Sequence, residues 1–325
     1  MTMNNPPVTL KEIQEAKARI VNVAYRTPLY LSPRLSALTN AKVYLKLESY
    51  QPIRVFKIRG AANKILKLDR EERKRGLIAA SSGNHGLAVS YLAKLTGTHA
   101  TIVVPTNAVV EKVKAIEEYG ATVVKHGLFH DERFEKALEI QKATGAILIP
   151  PFDDPDIIAG QGTAGLEICE DLPDVNMVIV PIGGGGLISG IATAVKSLKP
   201  SVKVLGVEPE KASSMYQSIR SGKITHLSDT TSIADGLATR EPGSLTYEIV
   251  KRYVDDIILV SEEQIEKAVF TALNDCHLVI EPSAAAVIAA LLEKVHPKAG
   301  ENVVLIVSGG NVSLKTLASV LAKYG

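Results

Sequence analysis

Cysteine is scarce in this chain, which contains only Cys169 and Cys276. Two cysteines are too few for a Cys-rich metal site or a disulfide framework, and their scarcity favours a reducing compartment. No apolar run is long enough to span a membrane, and the polar segment 1–9 lacks the apolar core of a signal peptide. We therefore expect a soluble, cytoplasmic protein with no membrane partner.

The chain also lacks a charge imbalance, because 37 Lys and Arg residues face 35 Asp and Glu residues. A net charge of +2 argues against a nucleic-acid partner, since such binders usually carry a strong basic excess. We find no internal repeat and no low-complexity linker. With 325 residues, 46% of them hydrophobic, the chain can bury a large core in one domain or two lobes.

Short apolar runs alternate with helical patterns along the chain, which predicts an α/β fold with mainly parallel sheets. Strands are predicted at 42–46, 77–80, 99–104, 122–125, 146–149, 177–181, 203–207, 256–260 and 302–307. Helices are predicted from Thr9 onward and at 60–68, 86–96, 108–119, 131–144, 186–198, 262–274, 283–295 and 314–323. Residues 51–149 are predicted to form a small domain, and residues 1–50 and 150–325 a large one, with a ligand cleft between them.

Lys57 lies between the apolar residues Phe56 and Ile58. Such a lysine is usually a surface residue whose stem covers apolar neighbours. The alternative is a desolvated amine that loses proton affinity and becomes nucleophilic enough to form a Schiff base. Considered alone, the segment favours the surface interpretation.

A polar segment, residues 81–86, separates a predicted strand from a predicted helix. Its backbone N–H groups would face a helix N-terminus, where anions bind. Ser81, Ser82, Asn84 and His85 add side-chain donors, more than an ordinary helix cap requires. The pattern favours a carboxylate or phosphate site.

Four consecutive glycines, Gly183 to Gly186, link a predicted strand to a predicted helix that begins with Gly186 and Leu187. Successive glycines let backbone amides wrap a phosphate, and the helix dipole adds to the attraction. The glycine spacing with Gly190, followed by Glu208, fits a dinucleotide-binding turn equally well. This segment alone leaves a phosphate cup and a nicotinamide dehydrogenase equally open.

Ser308 follows the last predicted strand and begins a Ser-Gly-Gly-Asn segment. The segment is either a turn into the final helix or a place where Ser308 enters the cleft as a neutral hydrogen-bond partner.

Taken together and in this order, the four segments resemble the serine racemase and threonine dehydratase family of fold-type II pyridoxal-phosphate enzymes. The similarity covers nearly the whole chain and extends to segments 158–163, 234–236 and 280–283. It implies a tryptophan synthase β-like fold with two α/β lobes and the cofactor in the cleft between them. The resemblance also favours a phosphate cup over a dinucleotide-binding turn. This cup would be formed by Gly183, Gly184, Gly185, Gly186 and Leu187.

The resemblance implies a role for each matched position. Lys57 would carry pyridoxal 5'-phosphate as a Schiff base and act as the base at Cα, and Phe56 would cover one face of the pyridine ring. Asn84 would bond the ring hydroxyl, and Ser308 would meet the pyridine nitrogen. The substrate carboxylate would bind Ser81, Ser82, Asn84 and His85, with Ser82 as the proton donor on the ring face opposite Lys57.

The implied reaction is β-elimination, which converts L-threonine to 2-oxobutanoate, or L-serine to pyruvate, with release of ammonia. Serine racemase and hydroxyaspartate dehydratase are alternatives within the family. A nicotinamide dehydrogenase and a non-catalytic binding module are alternatives from other classes. The resemblance also implies a homodimer or higher homo-oligomer. The chain ends at Gly325, so we expect no feedback inhibition by isoleucine.

Two positions depart from the family pattern. The Gly-Ser pair that usually precedes Phe-Lys is Arg54-Val55 here. The divalent-ion site of racemase members corresponds to Glu208, Ala212 and Ser214, where Ser214 replaces an aspartate. One carboxylate fewer weakens a site for a hard cation such as magnesium, so we do not expect bound magnesium.

Overall fold

The computed structural model describes residues 6–81, 83–108, 110–128 and 130–325. Its strands β1 to β10 are Leu29–Leu31, Lys42–Leu47, Leu77–Ala80, Ala100–Val104, Thr122–Lys125, Ile147–Leu148, Met177–Pro181, Lys203–Pro209, Asp256–Val260 and Asn302–Val307. Its helices α1 to α14 are Leu10–Ile20, Pro33–Thr39, Lys57–Lys67, Arg70–Lys74, Asn84–Thr96, Val110–Glu118, His130–Thr144, Pro155–Asp171, Gly186–Leu198, Ser214–Ser221, Ser244–Tyr253, Glu262–Asn274, Pro282–Glu293 and Leu314–Tyr324.

The strands form two sheets. The larger sheet has six strands in the order β1-β2-β10-β7-β8-β9, and the smaller has four in the order β5-β4-β3-β6. Every described pairing is parallel except that of β1 with β2. The α/β fold with mainly parallel sheets is therefore confirmed. Strands β7 and β10 are buried at every residue, as expected for strands covered by helices on both faces.

Strand order decides which loops meet. β7 and β10 are parallel neighbours, so their carboxyl ends lie at the same edge of the six-stranded sheet. The glycine segment follows β7, and Ser308 follows β10. Ligands of open α/β sheets bind outside this edge, where such loops converge.

The 17-residue helix α8 is absent from the sequence prediction. Its glycines lower helix propensity, but they allow close approach to neighbouring helices. A Cβ atom added at Gly160 would lie 2.5 Å from the carbonyl oxygen of Arg59 and 2.6 Å from Cα of Gly60. These glycines therefore let α3, which carries Lys57, pack tightly against α8.

The four strands of the smaller sheet lie between residues 77 and 148, inside the predicted small domain. The core beneath this sheet also includes Ile20 and Ile157, which lie outside that range. The domain boundaries themselves stay a prediction. Among the described helices, none combines the length and apolar character needed to cross a bilayer.

Candidate active site

Lys57 is the first residue of α3, three residues before the predicted start of that helix. The preceding segment is fixed to the end of β10: the Phe56 N–H donates to the Ser308 carbonyl at 3.0 Å. Val55 forms an isolated antiparallel bridge with Gly309. The structure therefore brings Lys57 and Ser308, which are far apart in sequence, into one site.

The Lys57 amine has an unusual environment. Its Nζ atom donates to the carbonyl oxygen of Pro151 at 2.7 Å and lies 5.1 Å from the centre of the Phe56 ring. Burial lowers the pKa of Lys57 to about 8, and the Glu281 carboxylate partly opposes that shift. No acidic side chain in the described ranges forms an ion pair with Lys57. A desolvated amine of this kind is partly neutral near pH 8 and therefore nucleophilic.

Arg54 adopts a left-handed backbone conformation, with φ of 59°. Glycine reaches this region without strain, whereas a residue with a Cβ atom, such as Arg54, is strained there. The Arg54 carbonyl accepts the Gly310 N–H at 2.8 Å, which helps to hold the strained turn. The Arg54 side chain is exposed.

The glycine segment turns sharply from β7 into α9. Gly185 has φ of 94°, and a Cβ atom there would lie 2.7 Å from Cε of Met215 and 2.8 Å from Cβ of Thr246. In the described part of the chain, the N–H groups of Gly183, Gly184 and Gly185 have no hydrogen-bond acceptor. Unpaired N–H groups at the start of a 13-residue helix form a cradle for an anion.

Phe152 and Thr246 support the glycine segment, and sequence reasoning assigned neither a role. A Cβ atom at Gly184 would lie 2.3 Å from the Phe152 ring, so the ring packs directly on the loop backbone. The Thr246 hydroxyl donates to the Gly184 carbonyl at 2.7 Å. Because Phe152 follows Pro151, it connects the glycine segment to the partner of Lys57. Neither residue belongs to a recognisable motif, so no sequence signal identifies it.

Ser308 is 2% exposed and lies beside Phe56. Its hydroxyl makes no hydrogen bond within the described ranges and carries no charge, so it can serve as a neutral hydrogen-bond partner.

The polar segment after β3 lies at the carboxyl edge of the smaller sheet. The Ser81 hydroxyl accepts the Gly83 N–H at 3.3 Å, and the His85 ring forms a 2.8 Å hydrogen bond with the Ile149 carbonyl. The Asn84 amide contacts Glu281 and Asn311. Ser82, the predicted proton donor, lies outside the described residues.

The three positions of the predicted metal site also lie close together. Glu208 is buried, and its two carboxylate oxygens accept the N–H groups of Met215 and Tyr216 at 3.0 and 2.8 Å. Burial raises the pKa of Glu208 to about 8, and these two N–H groups oppose the rise. Ala212 is buried, and the buried Ser214 hydroxyl has no partner within the described ranges. Glu208 thus supplies one carboxylate, which already caps α10.

A buried ionic network lies behind Lys57. Arg59 is 1% exposed and donates to both oxygens of Glu48 and both oxygens of Glu167, at 2.6 to 2.9 Å. Lys46, also fully buried, lies 2.6 Å from Glu167. Burial tends to lower the pKa of Arg59, but Glu48 and Glu167 raise it well above its usual range. The network joins β2, α3 and α8 and thereby fixes the first turn of the helix that carries Lys57.

Comparison with known proteins yields one family and several close relatives. Residues 20–309 match the family described as "Pyridoxal-phosphate dependent enzyme". The L-threonine ammonia-lyase of Thermotoga maritima is 46% identical over 316 residues, covering 97% of this chain and 79% of that protein. The catabolic L-threonine dehydratase of Escherichia coli K12 is 43% identical over 316 residues, covering 97% and 96%.

Among solved structures, maize serine racemase superposes with a TM-score of 0.93 at 39% identity, covering 98% of both chains. The relatives therefore include proteins named for elimination and a protein named for racemisation.

Proposed function

The chain belongs to the family of pyridoxal-phosphate dependent enzymes, and from that premise we propose that it deaminates L-threonine to 2-oxobutanoate and ammonia, with L-serine as a second substrate giving pyruvate. Two relatives above 40% identity, each matched over nearly all of this chain, are named for threonine. This similarity supports threonine over the other amino acids considered.

The described residues suit the cofactor. Lys57 offers a half-buried, partly neutral amine for a covalent link, and Phe56 offers a flat ring beside it. The unpaired N–H groups of Gly183, Gly184 and Gly185, followed by Gly186 and Leu187 in the first turn of α9, suit the phosphate. Ser308 offers a neutral hydroxyl for the ring nitrogen, and Asn84 would bond the ring hydroxyl. When bound, pyridoxal phosphate supplies an electron sink for the electron pair left by a departing Cα proton.

The remaining steps belong to the protein's own residues. The Lys57 amine accepts the Cα proton, because its lowered pKa leaves a neutral fraction near physiological pH. The Pro151 carbonyl fixes the Nζ atom on one side of the site. Ser81, Asn84 and His85, near the start of α5, form the proposed site for the substrate carboxylate together with Ser82. Ser308 is neutral and does not stabilise a protonated ring nitrogen as a carboxylate would, which favours loss of the β-hydroxyl over transamination.

The proposal rests on one arrangement: the half-buried Lys57 amine, which has no carboxylate partner, is linked through Pro151 and Phe152 to the backbone anion cradle and through Phe56 to the buried Ser308. The test is keto-acid formation from L-threonine by Lys57→Ala and by the control Lys67→Ala. Lys67 lies on the same helix but is exposed and paired with Asp156. Activity should vanish in the first variant and persist in the second. Keto-acid formation at the wild-type rate by Lys57→Ala would contradict the proposal.

Serine racemisation is the second candidate function, favoured by the similarity to maize serine racemase over 98% of both chains. Chiral analysis of L-serine incubations, with pyruvate measured in the same samples, separates the two activities. Elimination predicts pyruvate without accumulation of D-serine. Assays with 3-hydroxyaspartate test the remaining alternative within the family.

We further propose that the enzyme acts as a homodimer or higher homo-oligomer, as the family resemblance implies. Sedimentation analysis of the purified protein tests this. A divalent cation is not part of the proposed function, because Glu208 supplies a single carboxylate that already accepts two N–H groups.

A further inference from the structure

Glu281 is a buried carboxylate beside the proposed cofactor site that the mechanism above does not use. It precedes α13, is 5% exposed, and donates its N–H to the Gly309 carbonyl at 3.1 Å. Both carboxylate oxygens accept from Nδ2 of Asn84, at 2.9 and 3.0 Å. No lysine or arginine in the described ranges forms an ion pair with Glu281. A buried carboxylate without a cation is costly unless hydrogen bonds satisfy it.

The contacts of Asn84 continue beyond Glu281. Its Oδ1 atom accepts from Nδ2 of Asn311 at 2.9 Å, and the same nitrogen donates to the Ile53 carbonyl at 3.1 Å. The side chains of Glu281, Asn84 and Asn311 thus link the start of α13, the start of α5 and the segment after β10. Asn311 also connects these three to Ile53, in the segment before Lys57. An amide held at both ends cannot rotate, so Glu281 and Asn311 together fix which way Asn84 presents its nitrogen.

The charged groups around Glu281 come from three other elements. Burial is the main cause that raises the pKa of Glu281 to about 7; Asp235 adds to the rise, whereas the Asn84 amide, Lys112 and the Asn311 N–H oppose it. Lys57 also faces this carboxylate. The Asp235 and Lys112 side chains pair with each other, which leaves the Asn84 amide as the main side-chain partner of Glu281.

Resting on the proposed function, we propose that Glu281 is a positioning residue for the cofactor: it orients the amide of Asn84 so that one N–H of that amide remains directed at the bound cofactor. The amide nitrogen has two hydrogens, and the two carboxylate oxygens at nearly equal distances can share one of them. The second hydrogen is then available to an oxygen of the cofactor.

The variant Glu281→Gln tests this with little change in volume. Glutamine has one acceptor oxygen, so its NH₂ group must oppose either the Asn84 nitrogen or the Asn311 N–H, both of which are donors. Asn84 then loses its fixed direction. We expect the dissociation constant of pyridoxal phosphate for the cofactor-free protein to rise roughly tenfold, the equivalent of one hydrogen bond. The absorption maximum of the bound cofactor should shift as well.

Asp174→Asn is the matched control. Asp174 accepts from the side-chain nitrogen of Asn302 at 2.7 Å, which is also a carboxylate–asparagine pair, although Asp174 is exposed. That pair lies at the amino end of β10, whereas Ser308 follows its carboxyl end. The control should leave cofactor affinity and the absorption maximum unchanged. If Glu281→Gln fails to fold, Glu281→Asp serves instead, because it keeps the charge but withdraws the carboxylate by one methylene.

A double-mutant cycle with Asn84→Ala tests whether Glu281 affects cofactor affinity through Asn84. If Glu281 acts through Asn84, the Glu281 substitution has no further effect on cofactor affinity once Asn84 is alanine. An equal loss of affinity in both backgrounds, or no loss in the single variant, overturns the inference. These outcomes are distinct from failure of the proposed function, in which the wild-type protein itself does not bind pyridoxal phosphate.

Discussion

The Nζ atom of Lys57 lies 2.7 Å from the carbonyl oxygen of Pro151, so the first residue of α3 is held by the segment that leads into α8. The adjacent Phe152 packs on the glycine segment through Gly184. One short stretch of chain therefore sets the position of the amine relative to the anion cradle. The contact uses a neutral acceptor, so it orients Lys57 without stabilising its charge as a carboxylate would.

Removing the half-buried Lys57 amine should change the stability of the protein in a pH-dependent way. The folded pKa of Lys57 is about 8, below its ordinary value of 10.5, so the unfolded chain binds more protons between these two pH values. Stability of the cofactor-free protein therefore rises with pH in this window. Lys57→Met should be more stable than the wild type below pH 8, and the difference should disappear above about pH 10.5.

Urea unfolding of both proteins from pH 6 to pH 11 measures this difference. Lys67→Met is the control substitution, since Lys67 lies on the same helix but is exposed. A difference for Lys57→Met that is constant over this range would show that the amine is not desolvated.

The glycine segment should tolerate no side chain at Gly185. An alanine there combines a left-handed backbone with crowding against Met215 and Thr246. We expect Gly185→Ala to weaken pyridoxal phosphate binding by at least tenfold. Gly222→Ala is the matched control, because Gly222 has a similar φ of 74° but open space around it. Gly222→Ala should lose about 1 kcal/mol of stability from backbone strain, and Gly185→Ala should lose more because crowding adds to the strain. Only Gly185→Ala should lose cofactor affinity. Equal affinities of the two variants for pyridoxal phosphate would show that the glycine segment does not bind the cofactor.

The buried network of Arg59 should be essential for stability. Arg59→Met leaves Glu48 and Glu167 buried without their main cation, although Lys46 still reaches Glu167. Breaking a buried pair in this way costs about 3–5 kcal/mol. Arg26→Met, which breaks half-exposed pairs with Glu170 and Asp171, should cost at most about 1 kcal/mol. Chemical denaturation measures the free energy of unfolding of both variants. Similar losses of stability in the two would contradict the expected difference between buried and half-exposed ion pairs.

Divalent cations should be dispensable. Dialysis against a chelator should change neither the deamination rate nor the melting temperature, because Glu208 is satisfied by the N–H groups of Met215 and Tyr216. Loss of activity that magnesium restores would overturn this expectation and assign Glu208, Ala212 and Ser214 to a metal site.

Local patterns in the sequence were sufficient to predict the strands that are buried along their whole length. The apolar runs that predicted strands at 177–181 and 302–307 match β7 and β10 residue for residue, because continuous burial leaves few other structures for them. The turn into α9 was equally predictable, since four glycines separate two strong elements.

Features that depend on tertiary contacts were not predictable. No helix is predicted at α8 from the sequence, and Gly160 lowers helix propensity there, yet this glycine is needed for contact with Arg59 and Gly60 on α3. The start of α3 at Lys57 was missed because its preceding turn is stabilised by Ser308 and Gly310, about 250 residues away in sequence. The contact of Glu281 with Asn84 is likewise long-range, and no local pattern distinguishes a buried glutamate from an exposed one.

Lys57 is the residue proposed to carry the cofactor. The most direct test is to incubate the protein with pyridoxal phosphate, reduce it with borohydride and locate the modified residue by peptide mass spectrometry. We predict one modified site, Lys57, and none in Lys57→Ala. Absence of modification, or modification confined to exposed lysines such as Lys67, would contradict the claim.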